Sequence, residues 1–418
     1  MRILILHMRY APDATGTGPL VTELAQDLVR AGHRVLVITS APHYGRRDVP
    51  RAYRQGWLSK RAENGVEVWR TWAFAPAEGS ALGRALDYLL YLLLSTVAGW
   101  RSGRHDVILC VAPPITASVS AWLIGRPRRT PILFNAQDIW PDGLIAMGRL
   151  KNRWLIRMLR VLERFAYRTA AKVLVVSDGM RDNIVGKGIS ETKVAVISNW
   201  VDAETIQPQP PEDSLKKDLG LSDRFVVLLA GNMGYAACLE TVIQTAAMMR
   251  GNERAVFLLV GEGSAKEAAR RQCDELGLRN VIFTTTQPVS EVSRVFASAD
   301  VSLVTLRASM GRVSVPSKTY AIMASGRPVV AAVPEDSEVR QIVANAGCGV
   351  CVSPEAPTVL AATLSDLVTK GEQLGVWGAN GRRYVLDHFG RTTCTSAYER
   401  ALRDVLTSDN QPSVELSA

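Results

Sequence analysis

The chain has 418 residues, which suggests two or three domains. Its 47% hydrophobic and 21% charged residues exclude a disordered or low-complexity chain, and six Cys are too few for a disulfide framework. The net charge is +9, and its positive excess sits in residues 1–205, ahead of a slightly acidic second half, so the two halves meet different partners.

The opening MRILILHMRYAP is too short for a signal-peptide core and lacks a cleavage site, so the chain reads as reducing and cytoplasmic. Residues 2–8 read as a buried strand, GTGP (16–19) as a turn, 20–30 as a helix and RVLVITS (34–40) as a second strand. This is a βαβ unit, and apolar runs at 107–111, 131–134 and 172–176 continue it as half of a doubly wound sheet. Residues 85–100 (ALDYLLYLLLSTVAGW) are almost wholly apolar but shorter than the ~20 residues that span a bilayer. They read either as a buried helix covering the sheet or as a helix at a membrane surface, with aromatic and basic anchors.

Pro208, Pro210 and Pro211 mark a stiff linker. A second alternation starts at RFVVLLAGNMG, with strands at 255–260, 280–284, 300–304 and 328–333 and helices at 238–250 and 265–276. The divisions are 1–203, a linker 204–222, 223–392, and a C-terminal helix with tail over 393–418 that crosses back to the first domain. The fold class is α/β, with two Rossmann-like domains facing a central cleft.

Glycine turns follow strands at Gly16 and Gly18, at Gly231-Asn232-Met233-Gly234 and at Gly261-Glu262-Gly263. Such turns expose backbone N–H groups to anions, and their serial placement lines the strand ends where α/β proteins bind ligands. A dinucleotide site is disfavoured, because the second strand ends at Ser40 without an acidic residue. Ser317 is placed to N-cap a helix running to about Ala324, and Lys318 in its first turn calls for a bound anion. Asn135, Gln137 and Asp138 put two amides and a carboxylate after a strand, where an acceptor hydroxyl could be held; an Asp that merely fixes the Trp-Pro turn is the plainer alternative. There is no Asp-x-Asp motif, no zinc-like His spacing and no Walker loop. Cys348 and Cys351 read as a buried pair of small residues. Aromatic and basic residues do not cluster as a nucleic-acid platform would require.

Taken in order, GTGP, LAQDLVRAGHRVLVIT, QDIWPDGL, VISNWVD, LAGNMG, LLVGEGSAK, NVIFT and PSKTYAIMASGRPVVA resemble glycosyltransferase family 4, of GT-B fold. Within it the chain is similar to the bacterial surface-polysaccharide branch that includes N-acetylfucosamine-type transferases. The resemblance implies a metal-independent, retaining transfer of a sugar from a nucleotide diphosphate, a UDP-linked N-acetylated sugar by this reading, with no cofactor. The acceptor it implies is a membrane-associated glycan or polyprenyl-diphosphate-linked lipid. The enzyme would sit in the cytoplasm, peripheral at the inner face of the membrane through 85–100.

Carried over, Gly231, Asn232 and Gly234 would face the donor phosphates, and Gly261, Glu262 and Gly263 would line the donor pocket. Thr286 and Gln287 would lie near the base, and Ser317 and Lys318 by the diphosphate or ribose. Gly16 and Gly18 would approach the transferred sugar, with Asp138 opposite. The chain departs from the family where Val313 and Ala321 replace two glutamates, and where Asn232 and Cys238 replace an Arg and a Lys. Lys318, Lys266 or Arg312 would then supply the missing positive charge. An epimerase of the same fold and a catalytically silent nucleotide-sugar-binding subunit are the competing readings.

Overall fold

The computed structural model describes residues 1–13, 16–43, 48–54, 56–75, 80–312 and 315–408. They form two compact α/β units. Met1–Asp142, Lys151–Ser198 and the residues from Cys394 onward make the first; Gly143–Leu150 and Asn199–Thr393 make the second.

The first unit carries β1 (Arg2–Leu6), β2 (Arg34–Ser40), β3 (Leu58–Glu63), β4 (Val66–Thr71), β5 (Val107–Ala112), β6 (Ile132–Ala136), β7 (Lys172–Val175) and β8 (Val194–Val196). The strand order is β3-β4-β2-β1-β5-β6-β7-β8, parallel except where β3 runs against β4. The central strands β1 and β5 are buried on both faces, which is why they read as unbroken apolar runs. The β3–β4 hairpin was not anticipated. Its strand LSKRAE is a charged edge strand, but Asn64-Gly65, both at positive φ, is a tight-hairpin turn.

Helices α1 (Gly18–Arg30), α2 (Ala81–Arg101), α3 (Ala117–Gly125), α4 (Asp142–Ala146), α5 (Arg153–Thr169) and α6 (Asp178–Gly186) connect these strands. From β1 the chain steps outward to β2, then reverses from β4 to β5. Right-handed crossovers therefore put α1 on one face of the sheet and α2, α3 and α5 on the other. Accordingly α3 packs against both α2 and α5, with Trp122 and Phe165 edge to face at 5.7 Å.

The Ser80 hydroxyl caps α2, accepting from Gly83 N at 3.0 Å. Further along, Asp87 Oδ2 lies 2.9 Å from His43 Nε2, while His43 Nδ1 lies 2.7 Å from the Ala41 carbonyl. With an acceptor at each nitrogen the ring is an imidazolium. Burial opposes that charge, but the bond to Asp87 and its charge outweigh it and raise the His43 pKa. A His pKa above its unfolded value contributes stability that is complete below about 6.5 and is lost as pH rises through the raised value. The melting temperature is expected to fall across that interval, and Asp87→Asn to flatten the fall. Parallel pH profiles for the two proteins would contradict the pairing.

The second unit has α7 (Leu215–Asp218), β9 (Phe225–Ala230), α8 (Leu239–Met248), β10 (Ala255–Val260), α9 (Lys266–Glu275), β11 (Val281–Thr284), α10 (Val292–Ala297) and β12 (Val301–Thr305). It continues with α11 (Lys318–Ala324), β13 (Val329–Ala332), α12 (Glu338–Ala346), β14 (Gly349–Val352), α13 (Pro357–Leu367) and α14 (Gly371–Phe389). Its sheet is wholly parallel, ordered β11-β10-β9-β12-β13-β14, so the strand order reverses between β9 and β12. The proline-rich stretch is pinned to this unit: the carbonyl of Gln209 accepts from Arg327, and those of Ala203 and Ile206 accept from Arg382. The last helix, α15 (Arg391–Ser408), rejoins the first unit from Cys394 onward. There Glu399 bonds His33 at 3.0 Å, and the Tyr398 hydroxyl accepts from Asn135 Nδ2 at 2.7 Å. Cys348 and Cys351 are free thiols, the first buried and the second half-buried.

Candidate active site

In the second unit the switch point falls at the carboxyl end of β9, where a parallel sheet opens to ligands. The turns after β9 and β10 are zipped together there. Gly231 N donates to Val260 O at 2.9 Å, Met233 N to Glu262 O at 2.9 Å, and Ala265 N to Met233 O at 2.9 Å. The approach is backbone to backbone. A Cβ at Gly261 would stand 2.0 Å from Gly231 O, and one at Gly263 2.4 Å from Met233 C. Both have positive φ, 148° and 158°, so only glycine satisfies the conformation and the space at once. Asn232 is exposed beside Gly234, and its Oδ1 reaches toward Gly263.

Lys318, the first residue of α11, comes to this turn: its Cε lies 3.8 Å from where a Cβ on Gly231 would be. The side chain is half-buried, yet Nζ is out of contact with solvent and has no hydrogen-bond partner among the described residues. Desolvation lowers its pKa to about 8.

Two expectations are corrected here. Ser317 does not cap α11: its backbone is already helical (φ −60°, ψ −21°), so the hydroxyl makes no capping bond. Lys266 cannot supply the missing charge. It is buried and its three protons go to Gly261 O (2.8 Å), Glu262 Oε1 (2.7 Å) and Thr284 O (2.9 Å), so it staples the turn from below. Arg312 is exposed and paired with Asp336 at 2.8 Å. Arg307, not singled out from the sequence, is held by Glu240, Glu355 and the Tyr235 carbonyl. Cys238 is buried in a left-handed conformation with its Sγ 3.2 Å from Thr241 Oγ1, and Ala321 packs on the core; Val313 lies outside the described residues. Thr286 is exposed in the loop after β11, and Gln287 bonds the Thr285 carbonyl at 3.1 Å.

In the first unit, Gly16 (φ +66°) and Gly18 flank Thr17 after β1, with Pro19 inside the first turn of α1. A residue missed in the sequence holds this turn. Buried His7 faces the Val111 carbonyl through Nδ1 at 3.0 Å and Thr17 Oγ1 through Nε2 at 2.7 Å. The carbonyl only accepts, so Nδ1 carries the proton and Nε2 accepts from the Thr17 hydroxyl. Burial lowers the His7 pKa to about 4 and keeps the ring neutral. Arg70, also buried, clamps both Glu63 oxygens and the Ala11 carbonyl on the approach to the turn. A His at the end of the strand that leads to the glycine turn was the available signal; Arg70 had none, because Glu63 reaches it across a hairpin that was not anticipated and Ala11 from a distant loop.

After β6 only Asp138 is exposed. Desolvation by the protein around it still raises its pKa to about 6. Of the two amides beside it, Asn135 is spent on Tyr398; Gln137 is buried and donates to Asn135 Oδ1 at 3.3 Å, while its Oε1 has no hydrogen-bond partner among the described residues.

The site thus lies in an architecture of two Rossmann-like units, each with glycine turns at its strand ends, one of them with a lysine at its switch point that has no hydrogen-bond partner among the described residues. Residues 15–200 match the Glycosyl transferase 4-like domain family and residues 224–370 the Glycosyl transferases group 1 family, together most of the chain. The chain therefore belongs to the glycosyltransferases of GT-B fold. It is 28% identical over 371 residues to the putative colanic acid biosynthesis glycosyl transferase WcaI of Escherichia coli K12, covering 87% of this chain and 91% of that one. Among solved structures it resembles sucrose-phosphate synthase from Thermosynechococcus elongatus (TM-score 0.78, 17% identity, 98% of this chain and 100% of that one). It also resembles Anabaena Alr3699/HepE in complex with UDP-glucose (TM-score 0.74, 18% identity, 97% and 100%). Among the described residues no helix is long and apolar enough to cross a membrane.

Proposed function

We propose that the protein is a retaining, metal-independent transferase that moves a sugar, N-acetylated by the sequence resemblance, from UDP to a glycan or polyprenyl-diphosphate-linked acceptor. Its setting is surface-polysaccharide assembly at the inner face of the membrane. The observation that carries this is Lys318: an ammonium shielded from water and without a hydrogen-bond partner among the described residues, against a glycine turn at the switch point, is arranged for an anion that arrives with the substrate. The donor diphosphate sits there, along Gly231, Asn232 and Gly234, with the turn Gly261–Gly263 behind it and the base toward Thr286 and Gln287. Gly16, Gly18 and Asp138 meet the sugar and the acceptor. The naming of WcaI for colanic acid biosynthesis and the UDP-glucose held by HepE support this choice of pathway class and donor. Neither competing reading, epimerase or silent subunit, has an observation that favours it.

The test is thermal stabilisation by UDP, GDP and TDP, followed by UDP release from a donor. Stabilisation by UDP alone is expected; a response to none of them, with no donor turnover, would sink the reading. For the acceptor side, Asp138 is ionised above its pKa of about 6. The kcat/KM for acceptor is expected to rise as pH passes through about 6, and Asp138→Asn to remove that limb. An unchanged profile in the variant would take Asp138 out of the reaction.

A further inference from the structure

Helix α2 is built inside out. Asp87, Ser95 and Thr96 are buried on its inner side, where Asp87 pairs with His43 and Ser95 bonds Ser120 Oγ at 3.0 Å; the Tyr91 hydroxyl reaches the Ile38 carbonyl from the same side. Its outer side exposes Leu82, Leu86, Leu89, Leu93, Val97 and Trp100, spaced three or four apart and so forming one stripe along the helix. A helix bordering water has the opposite arrangement.

A second ridge stands on the same face of the sheet. The first half of α5 has no buried residue, and Trp154 (79% exposed), Met158 and Val161 form an apolar stripe along it. Beside that stripe, at the same helical spacing, run Arg153, Arg157, Arg160 and Arg164, all exposed. The one acid of this helix, Glu163, is buried and taken by Lys187 at 2.5 Å. At the end of α2, Arg101 stacks over exposed Trp57 at 5.0 Å.

We propose that α2 and α5 together form a docking face for an anionic bilayer, with the leucines and Trp154 entering the acyl boundary and the α5 arginines meeting lipid phosphates. Charge complementarity selects this occupant: a second copy of the chain would bring another set of arginines to the same face, whereas an acidic lipid surface neutralises them. This deepens the proposed function, since it rests on the membrane-associated acceptor named there.

The experiment is co-sedimentation of the full chain with vesicles of phosphatidylcholine alone and of phosphatidylcholine with phosphatidylglycerol, with UDP release from a donor measured on the same samples. Wild type is expected to bind the mixed vesicles and stay largely in solution with neutral ones. Arg157→Glu with Arg160→Glu should lower the anionic partition by about tenfold or more. Leu86→Glu with Leu93→Glu should abolish it, and both variants should keep wild-type UDP release and melting temperature. Equal partition of wild type and variants, or a wild-type dimer that the leucine variant converts to monomer without loss of vesicle binding, would overturn the proposal. Intact vesicle binding with no UDP release would instead refute the transferase reading and leave the docking face standing.

Discussion

Lys318→Met is expected to lower the rate of sugar transfer on the order of 100-fold and to abolish stabilisation by UDP, while the ligand-free protein melts at a higher temperature than wild type. The two effects share one cause. With its pKa lowered from 10.5 to about 8, Lys318 is harder to charge in the fold than in the unfolded chain, so its ammonium costs stability at neutral pH. A diphosphate removes that cost by pairing with it, and methionine removes it by removing the charge. UDP affinity of the wild type should fall as pH rises through about 8, where the free enzyme loses the proton, and the variant should show no such step. Titration calorimetry across that range checks both. A variant that is less stable than wild type and still binds UDP would assign Lys318 to the core rather than to the ligand.

Gly261→Ala and Gly263→Ala are each expected to destabilise the protein by about 3 kcal/mol and to eliminate UDP binding. At both positions the new methyl would strike backbone of the neighbouring turn, Gly231 O at 2.0 Å and Met233 C at 2.4 Å, and backbone cannot swing aside as a side chain can. Relief requires the two turns to part, which breaks Met233 N to Glu262 O and Ala265 N to Met233 O and moves Gly231 away from Lys318. Gly277→Ala serves as the control. It also has positive φ, but nothing lies within 4 Å of its would-be Cβ, so it should lose only the conformational cost and keep UDP binding. Chemical denaturation with and without UDP separates the two outcomes. A Gly261→Ala protein within about 1 kcal/mol of wild type would contradict the close approach.

The parallel strands were legible because burial on both faces leaves no choice but apolar runs, as in RILIL and VILCVA. The β3–β4 hairpin escaped for the converse reason: an edge strand is half water, and LSKRAE has no apolar pattern, so only Asn64-Gly65 carried the signal. The site was legible in its glycines and not in its cations. Lys266 and Lys318 look alike in sequence, each opening a helix near a glycine turn. The difference lies in carbonyls such as Thr284 O, contributed by a neighbouring strand, which saturate one lysine and leave the other without a partner among the described residues. Nor can composition say which way α2 faces. A helix with few polar residues leaves its direction to the partners waiting for them, here His43 and Ser120, and those belong to other elements.

The first unit ends with residues that come after the whole of the second. Asn135 in its sheet needs the hydroxyl of Tyr398, and His33 needs Glu399, so neither contact can form until the chain beyond residue 393 has left the ribosome. Residues 199–393, by contrast, are contiguous and can finish folding first. During synthesis the earlier half therefore waits, the Asn135 amide without the Tyr398 hydroxyl and one part of its surface uncovered, until the closing helix emerges.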